Sequence, residues 1–405
     1  MDPPVSQRPR VGCVMGAVPT RTFDVAVRSK LPKVGTTIFT VMSQLALDYR
    51  AVNLGQGFPD YETPAVLRHA LTRAMEAGYN QYAPLAGIVA LREQIALKVE
   101  RLYGRKVDPA SEVTVTPGGT VAIFAAVACA VHAGDEVIVL DPSYDAYEPA
   151  VTLAGGRAVH VPLTLPDFAV DWQRVREAVT PKTRMIIVDT PHNPSGAVFT
   201  VDDLQALAEL VIRHGLYVIS DEVYEHMVYD GAVHQSASRN AALADRSFIV
   251  SSFGKTWHCT GWKVGYCVAP RPLMVEFRKV YQFLTFCTFR PAQHAFAEVM
   301  CEHAAHVAGL GAFYQAKRDQ FRALLAESRF RLLPVHGGFF QLADYGAIRD
   351  VGDQDFCQWL VREAGVAAIP VSAFCDVPPA ARLVRFCFAK SEATMRAGAE
   401  RLTRL

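Results

Sequence analysis

A lysine stands just past the end of an apolar run. Ser247 to Ser252, S-F-I-V-S-S, has the composition of a buried strand, and Lys255 follows beside Gly254, with Thr256 and Thr260 beyond. An ammonium held next to such a strand is costly to desolvate. Desolvation lowers its pKa and makes the amine a nucleophile, which is what a Schiff base to an aldehyde cofactor requires. A lysine at a strand end can also snorkel to solvent, and Lys255 taken alone does not separate the two readings.

Other residues able to do chemistry stand at comparable places. Glu112 to Thr116 reads as a strand running into P-G-G-T, Pro117 to Thr120, ahead of an apolar helix from Val121 to Val131. A strand, a glycine turn and a helix N-terminus together make an anion site, because free N–H groups and the helix dipole point to one place. Glu136 to Leu140 ends in D-P-S-Y-D-A-Y, which carries Tyr144, and Met185 to Val188 leads into T-P-H-N-P-S-G. There Asn193, ahead of a proline, is kept out of the helical region and can aim its amide at a ligand. Tyr217 to Ser220 leads into D-E-V-Y, so Asp221 falls at the carboxyl end of a parallel strand, where α/β sheets bind ligands. A carboxylate buried there needs a partner. In R-L-V-R-F-C-F, Arg385 lies between Val384 and Phe386, and its planar fork suits either a ligand carboxylate or a structural acid. The glycine-dense N-L-G-Q-G-F-P-D, Asn53 to Asp60, is a close-approach segment or an ordinary turn.

S-x-x-K from Ser252 to Lys255, followed by Lys263 and Gly265, resembles the cofactor-lysine signature of the class I aminotransferases, pyridoxal phosphate (PLP) enzymes of fold type I. The resemblance runs from Ser29 to the C-terminus. It is closest to the kynurenine, glutamine and methionine aminotransferase-like branch, through S-K-L-P-K-V-G-T-T-I-F and F-G-K-T-W-H-C-T-G-W-K-V-G-Y. The resemblance implies that Lys255 bonds PLP and moves the substrate proton, and that Asp221 pairs with the pyridine nitrogen. By the same resemblance Asn193 and Tyr224 bond the phenolic oxygen and Tyr144 stacks on the ring. Gly119, Thr120, Ser252 and Lys263 hold the phosphate, joined by Tyr82 from the neighbouring subunit, although Val121 departs from the acidic or amide residue usual beside them. Arg385 takes the α-carboxylate together with Asn193, Gly57 borders the substrate, and Ile38, Phe39, Tyr144 and, from the partner subunit, Phe289 line the side-chain pocket. Arg290 stands where relatives usually place a small uncharged residue and is expected to pair with an acid at the subunit interface; entering the side-chain pocket instead, it would favour an acidic donor.

The implied reaction is ping-pong transamination between a 2-oxo acid and an L-amino acid of methionine, aromatic, kynurenine or glutamine type. A carbon–sulfur β-lyase would use the same residues. A non-catalytic PLP-binding regulator would need a DNA-reading module, for which the residues before Ser29 leave no room.

The elements that must position these groups alternate strand and helix, as in an α/β fold. A large PLP-binding domain is expected over residues 60–297, and a smaller α+β domain over 298–405 joined by 29–59. The resemblance supplies the count of seven mostly parallel strands and the split small domain. Cys301 to Ser328 reads as one long helix, and Leu332 to Leu342, Val366 to Ile369 and Arg382 to Phe388 as strands. Residues 1–28, rich in Pro, Arg and Gly, read as a disordered extension.

A formal net charge of +1 gives no electrostatic footprint for nucleic acid or an anionic membrane, and no apolar run reaches the length of a span. The nine cysteines are scattered without C-x-x-C pairs, as reduced thiols of a cytoplasmic protein would be. His303 and His306 share a helical spacing but lack a third ligand, so no metal is expected. The expected partners are amino acid and 2-oxo acid substrates and a second copy of the chain.

Overall fold

The computed structural model describes residues 27–405, so the expectation for residues 1–28 lies almost wholly outside it. A helix, Ile38–Asp48, capped by the Thr37 hydroxyl, leads to the short strand β1 (Val52–Asn53). The large sheet follows, built from β2 (Val113–Thr116), β3 (Glu136–Asp141), β4 (Arg157–Pro162), β5 (Thr183–Asp189), β6 (Tyr217–Asp221), β7 (Ser247–Ser252) and β8 (Gly265–Val268). Its order is β2-β8-β7-β6-β5-β3-β4, and only β8 runs antiparallel to its neighbours.

The strand interiors are apolar on both faces because helices cover both. Along β5, Ile186 and Val188 enter one core while Met185 and Ile187 enter the other. This is the period-two alternation of a sheet buried on both sides. The helices carry their own stop and start signals. Val201–His214 begins with a Thr200/Asp203 capping box and ends at Gly215, whose φ of 68° is the left-handed conformation a glycine reaches without strain.

A further core forms around a smaller sheet. The chain adds β9 (Arg331–Leu332), β10 (Phe340–Asp344), β11 (Val366–Ala367), β12 (Ile369–Pro370) and β13 (Leu383–Cys387), and four of these pair in the order β12-β13-β10-β9. β1 pairs in parallel with β11, and Met42, Ala46 and Leu54 share this core with Tyr314, Phe356 and Phe386. The N-terminal segment is therefore packed with the C-terminal third of the chain.

Three elements differ from their sequence reading, and one of them, the strand expected over Val366 to Ile369, is split into β11 and β12, which join different sheets. Most of the helix expected over Cys301 to Ser328 is present as Ala304–Leu324, but Cys301 and Glu302 close the preceding helix, Arg290–Glu302, and His303, at φ −123° and ψ 40°, breaks the chain between the two. Just beyond the break His306 donates from Nε2 to the Thr256 carbonyl at 2.8 Å and stacks on Trp257, which draws the second helix onto the loop after Lys255. The strand expected over Leu332 to Leu342 is two strands with a docked turn between them. His336 and Gly337 donate backbone N–H groups to Gly196, and Gly338 donates to Met227. A side chain at Gly337 would stand 2.7 Å from Pro191 Cβ and 2.8 Å from the Met227 carbonyl, so the turn fits only as glycine.

Among the described residues no group of three or more His, Cys, Asp or Glu is placed to hold a metal ion, and no helix is long and apolar enough to cross a membrane.

Candidate active site

The carboxyl ends of β5, β6 and β7 open onto a cavity of about 230 Å³ that the small sheet closes from the far side. Gly57, Gly119, Thr120, Tyr144, Asn193, Asp221, Tyr224, Ser252, Lys255, Lys263 and Arg385, eleven residues singled out in the sequence, all line it. Strand ends supply most of them because a parallel sheet delivers successive chain segments to one edge.

Lys255 enters on the single turn of helix that follows β7, and its Nζ donates to the Gly57 carbonyl at 3.1 Å. The ammonium also lies 5.5 Å from the Tyr224 ring centre and 5.3 Å from that of Phe339. Burial lowers its pKa to about 8, and the positive charges of Arg385 and Lys263 act in the same direction. The amine is thus desolvated and sheds its proton far more readily than an ordinary lysine, as a nucleophilic lysine must.

Asp221 ends β6, accepts from the Tyr147 hydroxyl at 2.9 Å and lies 3.4 Å from the Val223 amide. Burial raises it to about 6 against the effect of the Tyr147 hydrogen bond, so the carboxylate predominates at neutral pH. The helix Gly119–Ala130 starts two residues earlier than the sequence suggests, which brings its first free N–H groups to the cavity wall. Gly118, with φ of 79°, precedes it, and a Cβ there would meet Lys263 Nζ at 3.3 Å. A glycine turn, a helix N-terminus and an ammonium therefore converge on one spot. Tyr144, beside them, is 3.4 Å from the Thr120 hydroxyl.

Arg385 lies at the centre of β13 and is fully buried. Nη1 donates to Asn193 Oδ1 at 2.8 Å and Nη2 to the Gly55 carbonyl at 3.1 Å, while Nε has no partner in the protein. The guanidinium is stacked 4.0 Å from the Phe340 ring, and burial lowers its pKa to about 10, leaving it cationic. A buried cation without a counter-ion and with an unused donor is suited to a ligand carboxylate.

The remaining candidates lie elsewhere. Ile38 lines an adjoining cavity that shares only Tyr144 with the first, because the helix it opens runs along the small core. Tyr82 is 80% exposed and Phe289 51% exposed, and both lie with Arg290 in a separate surface depression. Arg290 is placed over the Tyr79 ring, 5.4 Å from its centre. Sequence reasoning passed over Gln56, Phe340 and Asp189, which line the cavity. Asp189 closes an apolar strand and reads there as a polar boundary; only its register opposite Asp221 reveals where it points.

The donor set fits PLP. An anion cradle for a phosphate, a buried carboxylate for a pyridinium nitrogen, an amine for an aldehyde and a free guanidinium edge for an amino acid carboxylate occupy one cavity. With the seven-stranded sheet this defines a PLP-transferase of fold type I. The chain belongs to the family Aminotransferase class I and II, whose model matches residues 49–402. It is 50% identical over 378 residues to the methionine aminotransferase of Escherichia coli strain K12, covering 93% of this chain and 98% of the relative. It is 35% identical over 393 residues to the kynurenine–oxoglutarate transaminase 3 of Rattus norvegicus, covering 90% and 87%. The structure of N-succinyldiaminopimelate aminotransferase from Mycobacterium tuberculosis superposes with a TM-score of 0.90 at 41% identity, covering 94% of this chain and all of that one. The protein is a PLP-dependent aminotransferase.

Proposed function

We propose that this aminotransferase takes its amino group from a large uncharged L-amino acid, methionine foremost, and passes it to a 2-oxo acid, both half-reactions running in the one cavity. The observation that carries the choice of donor is the setting of Arg385. Its cation is surrounded by the rings of Phe39, Phe340 and Phe374, with centres 5.3, 4.0 and 5.0 Å away. An apolar side chain gains on the order of 2 kcal/mol from burial there, whereas a second carboxylate without its own cation costs several. The methionine aminotransferase likeness supports the same donor class.

When bound, PLP supplies the electron sink that weakens the Cα–H bond of the amino acid. Lys255 takes up that proton and returns it on the other side of the reaction, a role its lowered pKa permits near neutral pH. Arg385 and Asn193 grip the α-carboxylate and fix the Cα–H bond against Lys255. Asp221 holds a negative charge for the pyridine nitrogen, Tyr224 and Asn193 serve the phenolic oxygen, and Tyr144 limits tilting of the ring. Gly119, Thr120, Ser252 and Lys263 anchor the phosphate, and Gly57 borders the substrate.

The active form is read as a homodimer. Tyr82 lies edge-on to Phe286 and shares a depression with Phe289, and these exposed rings, with Phe283 on the same stretch of chain 88% exposed, offer apolar surface that a second copy would cover. Tyr82 and Phe289 then serve the partner's site, and Ile38 borders the substrate entrance. The two cores are read as two domains, 60–297 and 298–405 with 29–59, in a cytoplasmic protein whose described cysteines are free thiols. Comparing kcat/KM for methionine and aspartate with one 2-oxo acid acceptor tests the donor class, and a higher value for aspartate overturns it. Release of pyruvate and ammonia from cystathionine without an acceptor would mark lyase chemistry instead.

A further inference from the structure

Asp189 and Asp221 are register partners at the ends of adjacent parallel strands, so their side chains leave the same face of the sheet with backbones about 5 Å apart. Both are buried and both line the cofactor cavity. Two carboxylates this close in a desolvated site do not both ionise. Their hydrogen bonds differ. Asp221 has the Tyr147 hydroxyl and the Val223 amide, whereas Asp189 has one donor, the Asn193 amide, at 3.0 Å to Oδ2. Asp189 Oδ1 is buried without a partner.

We propose that Asp189 is a positioning residue held as the neutral carboxylic acid, its proton on Oδ1 and its Oδ2 fixing Asn193, so that this end of the cavity carries the single negative charge of Asp221. The inference deepens the cofactor-site reading above, but the protonation state follows from the cavity alone.

The surrounding groups agree with this assignment. Tyr144 and Tyr147 on the segment after β3 and Tyr224 after β6 are the phenols that neighbour the two carboxyl groups, and burial raises all three, keeping them neutral. His192, on the turn that Asp189 begins, is pushed by burial down to about 4 and is neutral as well. On the opposite side Asp167, Asp203 and His336 share a second cavity with Asp189, and Asp203 is spent on Trp172 and the Thr200 cap. The cations of the active cavity act elsewhere, Lys255 on Asp221 and Arg385 on Tyr224. Burial and the Asp221 charge together hold the Asp189 carboxyl well above its usual range. The consequence reaches the substrate site, because Asn193, fixed by Asp189, orients Arg385 through its side chain.

Asp189→Asn keeps the shape and the acceptor for the Asn193 amide and cannot ionise. In urea unfolding of cofactor-free protein, the variant's folded-to-unfolded ratio relative to wild type should grow about tenfold per pH unit above pH ~4. The reason is that the wild type must keep in its folded state a proton its unfolded chain has lost. A flat ratio, or one that falls with pH, overturns the proposal. Infrared difference spectra of the wild-type apoprotein give an independent reading. A protonated carboxyl band should persist at pH 7 and vanish in Asp189→Asn, and absence of that band in the wild type also overturns it. For the positioning role, Asp189→Ala should raise KM for both amino acid and 2-oxo acid about tenfold with kcat changed less, and Asp189→Asn should restore KM. Equal defects in the two variants would refute positioning through the acceptor.

Discussion

Arg385 and Asn193 meet inside the protein, Nη1 to Oδ1 at 2.8 Å, and so join an inner strand of the small sheet to the turn after β5. The pair is preassembled before any substrate arrives. Replacing Arg385 by Lys keeps the charge but cannot reach Asn193 and Gly55 with two donors at once. The expected loss in kcat/KM is about 2–4 kcal/mol, or roughly 30- to 700-fold, for every amino donor alike. A loss confined to one donor would place Arg385 at the side chain instead.

Lys255→Ala should bind PLP without a covalent link and lose transamination by more than ~10²-fold. Borohydride treatment of the native enzyme followed by peptide mapping should find the cofactor on Lys255. Label on any other lysine would end this assignment.

The lowered pKa of Lys255 makes a kinetic prediction for the apoprotein. Only the neutral amine attacks an aldehyde, so the rate of covalent PLP uptake should climb about tenfold per pH unit below pH 8 and level off above it. A midpoint near the ordinary lysine value of 10.5 would mean that the cavity does not desolvate the amine.

Shared sites can be tested by mixing subunits. Tyr82→Phe should weaken cofactor binding roughly 10- to 100-fold, the worth of one hydrogen bond to a charged group. A heterodimer of Tyr82→Phe with Lys255→Ala should hold one site free of both changes and regain activity. Verified exchange without regain would count against Tyr82 acting across the interface.

Behind the cavity, Lys98 and Glu225 form a buried ion pair at 2.5 Å, with Tyr266 and Ser251 bonded to the same two groups. Burial is the largest influence and raises the Glu225 carboxyl, but the Lys98 ammonium, His226 and the hydrogen bonds from Lys98 and Ser251 together outweigh it and hold the carboxyl well below its usual range. Glu225→Gln should therefore cost about 3–5 kcal/mol by stranding the Lys98 charge. Because the folded-state pKa is depressed, this contribution is complete above pH ~4.5 and is lost as the pH falls further. Chemical denaturation at pH 7 and pH 4 would measure both effects.

Much of the cavity was legible because its residues follow apolar strands in chain order. Asn193, Asp221 and Lys255 each come just after a run whose composition fixes a buried strand, and a parallel sheet sends all three to one edge. What escaped depends on contacts between distant segments. Asp189 belongs to the cavity through its register with Asp221, Ile38 falls outside through the path of its helix, and the turn at Gly337 is set by Pro191 and Met227. Just past the break at His303, the position of the next helix is likewise tied to a distant segment, through His306 on Thr256 fifty residues earlier.

The same contact bears on any attempt to divide the chain. The helix Ala304–Leu324, whose Leu310, Tyr314 and Phe321 enter the small core, also grips the Lys255 loop, His306 on Thr256 and Tyr314 on His258 at 3.1 Å. A fragment ending before residue 304 keeps every strand of the large sheet yet gives up the brace on its reactive loop. Split or circularly permuted versions should therefore keep this helix on the same polypeptide as Lys255, with new termini placed elsewhere.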